Sequence, residues 1–198
     1  MSILKAIPPF ILGSGSPRRR ELLRDAGFNF DIIKVDVDET IPEKLTPIEA
    51  VDYLSMKKLV ACKEFCKENL VLTADTLVFL EDKILGKPNN RDEAISMLEL
   101  LSGKTHQVIT SVCLGYQENQ FQYNVSTAVT FAILDRNIIS YYIDHYQPFD
   151  KAGSYGIQEW IGEIGIPRIE GSFTNVVGLP MHETYHAIVK YSKQWITE

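Results

Sequence analysis

The residues best suited to holding a phosphate group lie near the start of the chain, in the run Gly-Ser-Gly-Ser-Pro-Arg-Arg-Arg-Glu-Leu-Leu over 13–23. Small residues let the backbone turn sharply, and Ser16 is expected to accept hydrogen bonds from the first turn of a following helix. Pro17 suits the first helical position, because the N–H that proline lacks would have no partner there. Ser14 and Ser16 before a helix N-terminus, with arginines directly after them, therefore predict a phosphorylated ligand.

Two carboxylates are the candidates for acid–base or metal chemistry. Asp75 interrupts the apolar, β-branched run 71–80, and burying a carboxylate in a strand costs several kcal/mol unless something compensates it. It is either a structural residue bonded to a neighbouring loop, or a metal ligand or general base at the strand's exposed end. Glu39 lies in an acidic loop with Asp36 and Asp38, where a solvated turn is the alternative. Together, Glu39 and Asp75 would offer Mg²⁺ two oxygen ligands.

Four basic side chains are candidates for neutralising a polyphosphate: Arg18, Arg19, Lys58 and Lys87. Lys58 falls on a predicted helix, where a lysine facing solvent is the usual alternative. Lys87 follows Gly86 and precedes Pro88, so its backbone is restricted and its side chain has a defined place. Arg20 is expected at the surface, because three consecutive helical residues cannot all face one site.

A second glycine-rich segment, Asp-Lys-Ala-Gly-Ser-Tyr-Gly-Ile-Gln over 150–158, ends in an amide side chain. Gln158 can both donate and accept hydrogen bonds, which suits the edge of a nucleobase. The alternative is a glycine-rich turn with an exposed Gln158, and spacing alone favours that alternative.

Composition excludes several classes of function. The chain has 198 residues and a net charge of -6, which argues against a general nucleic-acid-binding protein. No apolar run approaches the roughly 18 residues of a membrane helix, and the N-terminus lacks a secretory signal, so a cytoplasmic protein is expected. Three cysteines without a framework spacing fit a reducing compartment. Cys62 and Cys66, one helical turn apart, are either half of a metal site or buried small hydrophobic residues.

The elements that must position these residues alternate between strands and helices in the first half of the chain. Strands are predicted at 10–14, 28–35 and 71–80, followed by an antiparallel pair at 106–116 and 121–133. Helices are predicted at 17–26, from the capping box at Thr46 to about 68, from Asn90 to Gly103, from Asp135 to Tyr146, and from Pro180 onward. This order predicts an α/β fold with a mixed, strongly twisted sheet.

The chain resembles the Maf family of nucleotide pyrophosphatases. The matching motifs occur in family order: Ser-Gly-Ser-Pro-Arg-Arg at 14–19, Asp-Glu at 38–39, Lys58, Ala-Asp-Thr at 74–76, Gly-Lys-Pro at 86–88, Ser-Gly-Lys-Thr-His-Gln-Val at 102–108, the 150–158 segment, and Gly-Ser-Phe at 171–173 through Val-Gly-Leu-Pro at 177–180. The resemblance covers residues from about 10 to 190. It implies one domain over 1–198, an elongated twisted mixed sheet flanked by helices, and two lobes with a cleft between them, as in inosine triphosphatase-like folds.

The resemblance also implies a reaction and a set of roles. The reaction is hydrolysis of a nucleoside triphosphate between the α and β phosphates, dependent on a divalent metal, Mg²⁺ or Mn²⁺. Asp75 would be the general base, and Glu39 and Asp75 would hold the metal. The substrate's phosphates would contact Ser14, Ser16, Arg18, Arg19, Lys58 and Lys87. A homodimer is compatible with this family, whereas nucleic-acid and membrane partners are not expected.

Substrate choice within the family is implied by Arg18, Thr76 and Gln158, which resemble the branch acting on dTTP and UTP. The chain departs from the family pattern directly after Gln158, where 159–165 replaces a shorter, glycine-richer turn. Two alternatives stay open: the same chemistry on 7-methyl-GTP or non-canonical purine nucleotides, and a non-catalytic nucleotide-binding regulator of cell division.

Overall fold

The computed structural model describes residues 7–196, which form an α/β fold around a seven-stranded sheet. The strands are β1 (Phe10–Gly13), β2 (Phe30–Ile33), β3 (Val71–Leu80), β4 (Lys83–Leu85), β5 (Thr105–Tyr116), β6 (Asn119–Thr130) and β7 (Arg168–Glu170). Their order is β2-β1-β3-β5-β6-β7, with β4 alongside β3. β1 runs parallel to β2 and β3, whereas β4 is antiparallel to β3 and β7 to β6. The predicted mixed sheet is confirmed.

Helices surround this sheet, and their starts follow the capping residues found in the sequence. They are α1 (Pro17–Asp25), α2 (Pro47–Ala61), α3 (Lys63–Cys66), α4 (Arg91–Leu101), α5 (Arg136–Tyr146), α6 (Trp160–Gly165), α7 (Phe173–Val177) and α8 (Met181–Ile196). Ser16, Thr46, Asn90 and Asp135 each accept a hydrogen bond from a backbone N–H of the first helical turn. The Glu49 carboxylate in turn accepts from the Thr46 N–H, which completes the predicted capping box.

Several predicted boundaries differ from the structure. The helix expected to run to about 68 ends at Ala61, because the backbone leaves the helical region at Cys62 and resumes as the short α3. The strand expected over 28–35 is confined to Phe30–Ile33. The three-residue strands β4 and β7 and the short helices α6 and α7 have no counterpart in the prediction, since such short segments carry no readable periodicity.

The chain divides into two compact units. Unit 1 holds the residues through Asp75, Thr110–Val125 and those from Gly178 onward, and unit 2 holds Thr76–Ile109 and Ser126–Val177. Strands β3, β5 and β6 contribute residues to both units. The implied single domain of two lobes stays a prediction.

Each unit has its own core. In unit 1, Phe10, Leu12, Leu72 and Ile188 are buried among the residues that pack β1 and β3 with α8. In unit 2, the ring of His106 stacks on Phe131 and its Nε2 lies 2.7 Å from the hydroxyl oxygen of Tyr155. Burial lowers the pKa of His106 to about 4, so this histidine is a neutral core residue at physiological pH.

The cysteines are interior residues of unit 1. All three are free thiols and buried, and burial raises the pKa of Cys62 to about 11 and that of Cys113 to about 12. Within residues 7–196 there is no group of three His, Cys, Asp or Glu side chains placed to hold a metal. Cys62 and Cys66 pack in a buried cluster with Ile11, Leu59 and Val71, as expected for small hydrophobic residues. None of the helices described between residues 7 and 196 combines the length and apolarity of a transmembrane segment.

Candidate functional site

The loop between β1 and α1 is held by hydrogen bonds between its own serines and backbone. The Ser14 hydroxyl oxygen accepts from the Ser16 N–H at 3.2 Å, and the Ser16 hydroxyl oxygen accepts from the Arg19 N–H at 3.5 Å. A Cβ atom on Gly13 would lie 2.8 Å from Thr73 Cγ2 and 2.9 Å from Cys62 Sγ, so only glycine fits where β1 ends. The predicted helix cap is confirmed, and the first turn of α1 presents its N-terminus beside a fixed loop.

Arg19 has a position that the sequence did not predict. Its side chain is buried, its Nε donates to the Gly178 carbonyl at 2.8 Å, and its Nη1 donates to the Ala74 carbonyl at 2.7 Å. Nη1 also lies 3.3 Å from Ser14 Oγ, and burial lowers the pKa of Arg19 below the usual arginine value. These donors are directed at the protein's own backbone, which gives Arg19 a positioning role, and its implied contact with a phosphate stays a prediction. Arg19 ties α1 and Ser14 to the residue that precedes Asp75.

Asp75 is the last residue of unit 1 along β3, and it is only 6% exposed. Its carboxylate accepts from the ammonium group of Lys58 on α2. α2 is fixed next to β3 because the Thr73 hydroxyl donates to the Ser55 carbonyl at 3.0 Å, one helical turn before Lys58. This ion pair offsets part of the cost of burying a carboxylate in an apolar strand.

Lys58 joins the two predicted carboxylates. Its Nζ also lies 2.8 Å from Glu39 Oε1, so Glu39 and Asp75 converge on one ammonium group. The Lys58 side chain is 12% exposed, compared with 9% for Asp75 and 47% for Glu39. The alternative of a solvent-facing Lys58 is therefore wrong. The expectation that Asp75 lies at an exposed strand end is also wrong, because Asp75 is buried in the middle of β3 and the acidic loop brings Glu39 to the same ammonium group.

The donor set around Lys58 fits a divalent cation of the Mg²⁺ type. Mg²⁺ is commonly bound through one or two carboxylates and completes its shell with water and substrate phosphates. Glu39 and Asp75 supply two carboxylates, and their convergence on an ammonium shows that the place between them favours positive charge. A third protein ligand is not needed for a cation held jointly with a phosphate.

The remaining predicted residues of unit 1 lie on the same loop and helix. Arg18 is the second residue of α1 and is half-buried, Ser14 is buried, and Ser16 is half-buried at the helix cap. Unit 1 thus brings together the serine loop, the helix N-terminus with Arg18, and the group formed by Glu39, Lys58 and Asp75.

Unit 2 carries the other three predicted residues. Thr76 follows Asp75 directly in β3 and is half-buried, whereas Lys87 and Gln158 are both exposed. The carbonyl of Gly86, next to Lys87, accepts from the Gly153 N–H at 3.0 Å. This bond connects the Gly-Lys-Pro segment of unit 2 to the glycine-rich segment that ends in Gln158.

Sequence reasoning missed a group of interacting polar side chains around the buried Lys151 of unit 2. Lys151 Nζ lies 2.7 Å from Asp150 Oδ1 and 3.1 Å from Glu159 Oε1, and the Tyr142 hydroxyl donates to Glu159 Oε2. The signals were available: Lys151 belongs to a family motif, and Glu159 opens the segment where this chain departs from the family pattern.

Comparison with known proteins defines the family to which this chain belongs. The family model described as Maf-like protein matches residues 9–191, so the chain belongs to the Maf family. A dTTP/UTP pyrophosphatase of Flavobacterium psychrophilum is 46% identical over 183 residues, covering 92% of this chain and 94% of that protein. A dTTP/UTP pyrophosphatase of Bacteroides fragilis is 49% identical over 181 residues, covering 90% of this chain and 93% of that protein.

Proposed function

We propose that this protein hydrolyses dTTP and UTP to the nucleoside monophosphate and pyrophosphate. The names of its relatives support this substrate class, and the observation that carries the chemistry is the convergence of Asp75 and Glu39 on Lys58. A buried carboxylate in the middle of a strand, paired with a lysine that a second carboxylate also contacts, is suited to activating water beside a highly charged phosphate.

Asp75 is the general base of the proposed reaction. It takes a proton from water, whose oxygen forms a bond to the α-phosphorus while the bond from that phosphorus to the α–β bridging oxygen breaks. The bridging oxygen leaves with pyrophosphate, and the monophosphate keeps the new oxygen. Arg19 supports this step indirectly, because its bond to the Ala74 carbonyl fixes the backbone that carries Asp75.

Charge neutralisation accompanies this step. The N-terminus of α1, capped by Ser16 and flanked by Arg18, binds phosphate oxygens through backbone N–H groups and a guanidinium. Glu39 and Asp75 would hold a divalent metal, which when bound supplies positive charge to the phosphates. Lys58 is the cationic group nearest to Asp75, and Lys87 of unit 2 is assigned to the phosphates by the family resemblance alone.

Base recognition is assigned to Gln158, with Thr76 and Arg18, on the resemblance to the dTTP/UTP branch. Thymine and uracil share the O4 acceptor and the N3–H donor, and one amide group pairs with both. The exposed side chain of Gln158 is accessible to such a ligand.

The test is pyrophosphate release from a panel of nucleoside triphosphates, with Mg²⁺, with Mn²⁺ and after EDTA treatment. We expect dTTP and UTP to be cleaved fastest, and EDTA to stop the reaction until metal is restored. Asp75→Asn should lower kcat by about 10³-fold, because a positioned general base contributes up to about 10⁴-fold. Asp82→Asn, which changes an exposed aspartate of unit 2, is the matched control and should retain wild-type turnover.

Other results would redirect the assignment. Full turnover by Asp75→Asn would remove Asp75 as the base. A preference for 7-methyl-GTP or a non-canonical purine nucleotide would keep the chemistry and change the substrate. Nucleotide binding without any pyrophosphate release would favour the non-catalytic regulator.

A further inference from the structure

The side chain of Gln158 is presented by a tight turn of unit 2. The Glu159 N–H donates to the Gly156 carbonyl at 3.0 Å, which makes Gln158 the third residue of a four-residue turn. A turn of this kind on the surface has several accessible arrangements unless its ends are fixed. Both end residues of this turn are bound by buried side chains.

Glu159 fixes the last position of the turn. Its carboxylate lies 3.1 Å from Lys151 Nζ and accepts the hydroxyl hydrogen of Tyr142. The Lys151 and Glu159 side chains are 10% and 19% exposed, so their attraction is weakly screened by solvent. We call Lys151, Glu159 and Tyr142 the Lys151 cluster.

Tyr142 connects the two ends of the turn. Its hydroxyl oxygen accepts from the Gly156 N–H at 2.9 Å while its hydrogen is donated to Glu159. Tyr142 is fully buried on α5, and burial raises the pKa of its hydroxyl well above the usual value, which keeps it protonated as a donor. One phenol group therefore holds the first and the last residue of the turn in a fixed relation.

The carboxylate of Glu159 also packs against the turn itself. A Cβ atom on Gly156 would lie 2.7 Å from the carboxylate carbon of Glu159, so the glycine leaves room for this contact. The position of the Glu159 carboxylate is thus fixed by two side-chain donors and by the backbone of the turn that it contacts. The segment that departs from the family pattern begins with the residue that closes this network.

We propose that Glu159, held by Lys151 and Tyr142, is a positioning residue for base recognition that acts through Gln158. The proposal rests on the proposed function, since Gln158 must contact the base for its position to matter. The Lys151 cluster limits the turn to one arrangement, so that the amide of Gln158 meets the pyrimidine edge without an ordering cost. Loss of the cluster weakens nucleotide binding and leaves the chemistry at Asp75 in place.

The test is a double-mutant cycle of Glu159→Gln and Gln158→Ala, read as KM and kcat for dTTP. Glu159→Gln alone should raise KM about tenfold and change kcat less than threefold, because contacting residues couple measurably. In the Gln158→Ala background the same substitution should add less than a twofold change in KM. Glu163→Gln, which changes an exposed glutamate on α6, is the matched control and should match wild type in both backgrounds.

Tyr142→Phe repeats the cycle with a smaller perturbation if Glu159→Gln does not fold. It removes only the hydroxyl group that joins Gly156 and Glu159, and it should raise KM in the same direction. An unchanged KM in the folded variant, or equal KM changes with and without Gln158, would overturn the proposal.

A protein that does not hydrolyse dTTP requires a different measurement, and its outcome can be told apart from failure of the positioning role. If wild type releases no pyrophosphate from dTTP, the same cycle is read as the Kd of a dTTP analogue with nitrogen at the α–β bridge. Coupling between Glu159 and Gln158 in Kd would then support the positioning role without catalysis. A Kd that is indifferent to both residues would overturn it.

Discussion

Two lysines with largely buried side chains, one in each unit, contact two carboxylates each, and their surroundings differ. Lys58 of unit 1 lies between Asp75 and Glu39, and Lys151 of unit 2 lies between Asp150 and Glu159. The lysine side chains are 12% and 10% exposed, so burial does not separate the two groups.

The difference lies in what else the carboxylates bind. Around Lys151, Glu159 accepts from Tyr142, and Tyr142 in turn accepts from the Gly156 N–H, so the network ends on the protein's own backbone. Around Lys58, the carboxylates of a strand and of an exposed loop converge on one ammonium group. A buried lysine between two acids therefore does not identify a catalytic centre by itself. The network around Lys151, which ends on backbone, is suited to positioning, and the group around Lys58, which includes the buried Asp75 of β3, is suited to chemistry.

Replacing each lysine by methionine tests this comparison most directly. Lys58→Met should lower kcat for dTTP hydrolysis by about 10³-fold, as expected for loss of a charged group that stabilises a transition state. Lys151→Met should keep kcat within about threefold and raise KM, because it acts through the turn that carries Gln158. Steady-state kinetics of both variants, with circular dichroism to establish folding, distinguishes the two roles. Equal losses of kcat would contradict the distinction.

Arg19 extends the comparison, because it gives unit 1 a positioning residue of its own. Arg19→Met leaves the carbonyls of Ala74 and Gly178 without this donor in the interior, and each buried unsatisfied group costs about 1–3 kcal/mol. We expect the free energy of unfolding to fall by about 3 kcal/mol, measured by urea titration. Arg20→Met, at the next position of α1, should change it by less than about 0.5 kcal/mol. A stable Arg19→Met variant with impaired nucleotide binding would instead support the implied contact of Arg19 with a phosphate.

The contacts of Arg19 show which features of the fold cannot be predicted from local sequence. Local signals predicted the start of α1, because Ser16 and Pro17 act within one helical turn. Similarly, the apolar run over 71–80 predicted the full extent of β3. The buried place of Arg19 depends on the Gly178 carbonyl, 159 residues further along the chain, and no local pattern encodes such a contact.

The candidate site, too, could be predicted from the sequence only in part. Glu39, Lys58 and Asp75 were proposed separately from their residue types and from a family resemblance, and their meeting at one ammonium group required the structure. Strands β4 and β7 were missed because each is three residues long and is defined by pairing with β3 and β6. The Lys151 cluster was missed because Tyr142 lies on α5 and Glu159 directly precedes α6, and the two meet only in the folded chain.

Gly13, at the end of β1, and Gly15, in the loop that follows, give the smallest expected effects, one on stability and the other on nucleotide binding. A Cβ atom at Gly13 meets Thr73 and Cys62 below 3.0 Å, whereas one at Gly15 has nothing within 4 Å among the described residues. Gly13→Ala should lower the free energy of unfolding by about 2 kcal/mol through overpacking. Gly15→Ala should leave that free energy nearly unchanged, and it should raise KM for dTTP about threefold if phosphate oxygens approach the backbone there, as glycine in phosphate loops permits. Thermal melts and steady-state kinetics of both variants test this. An unchanged KM in Gly15→Ala would move the phosphates away from this backbone and leave Arg18 and Lys58 as the unit 1 groups that hold them.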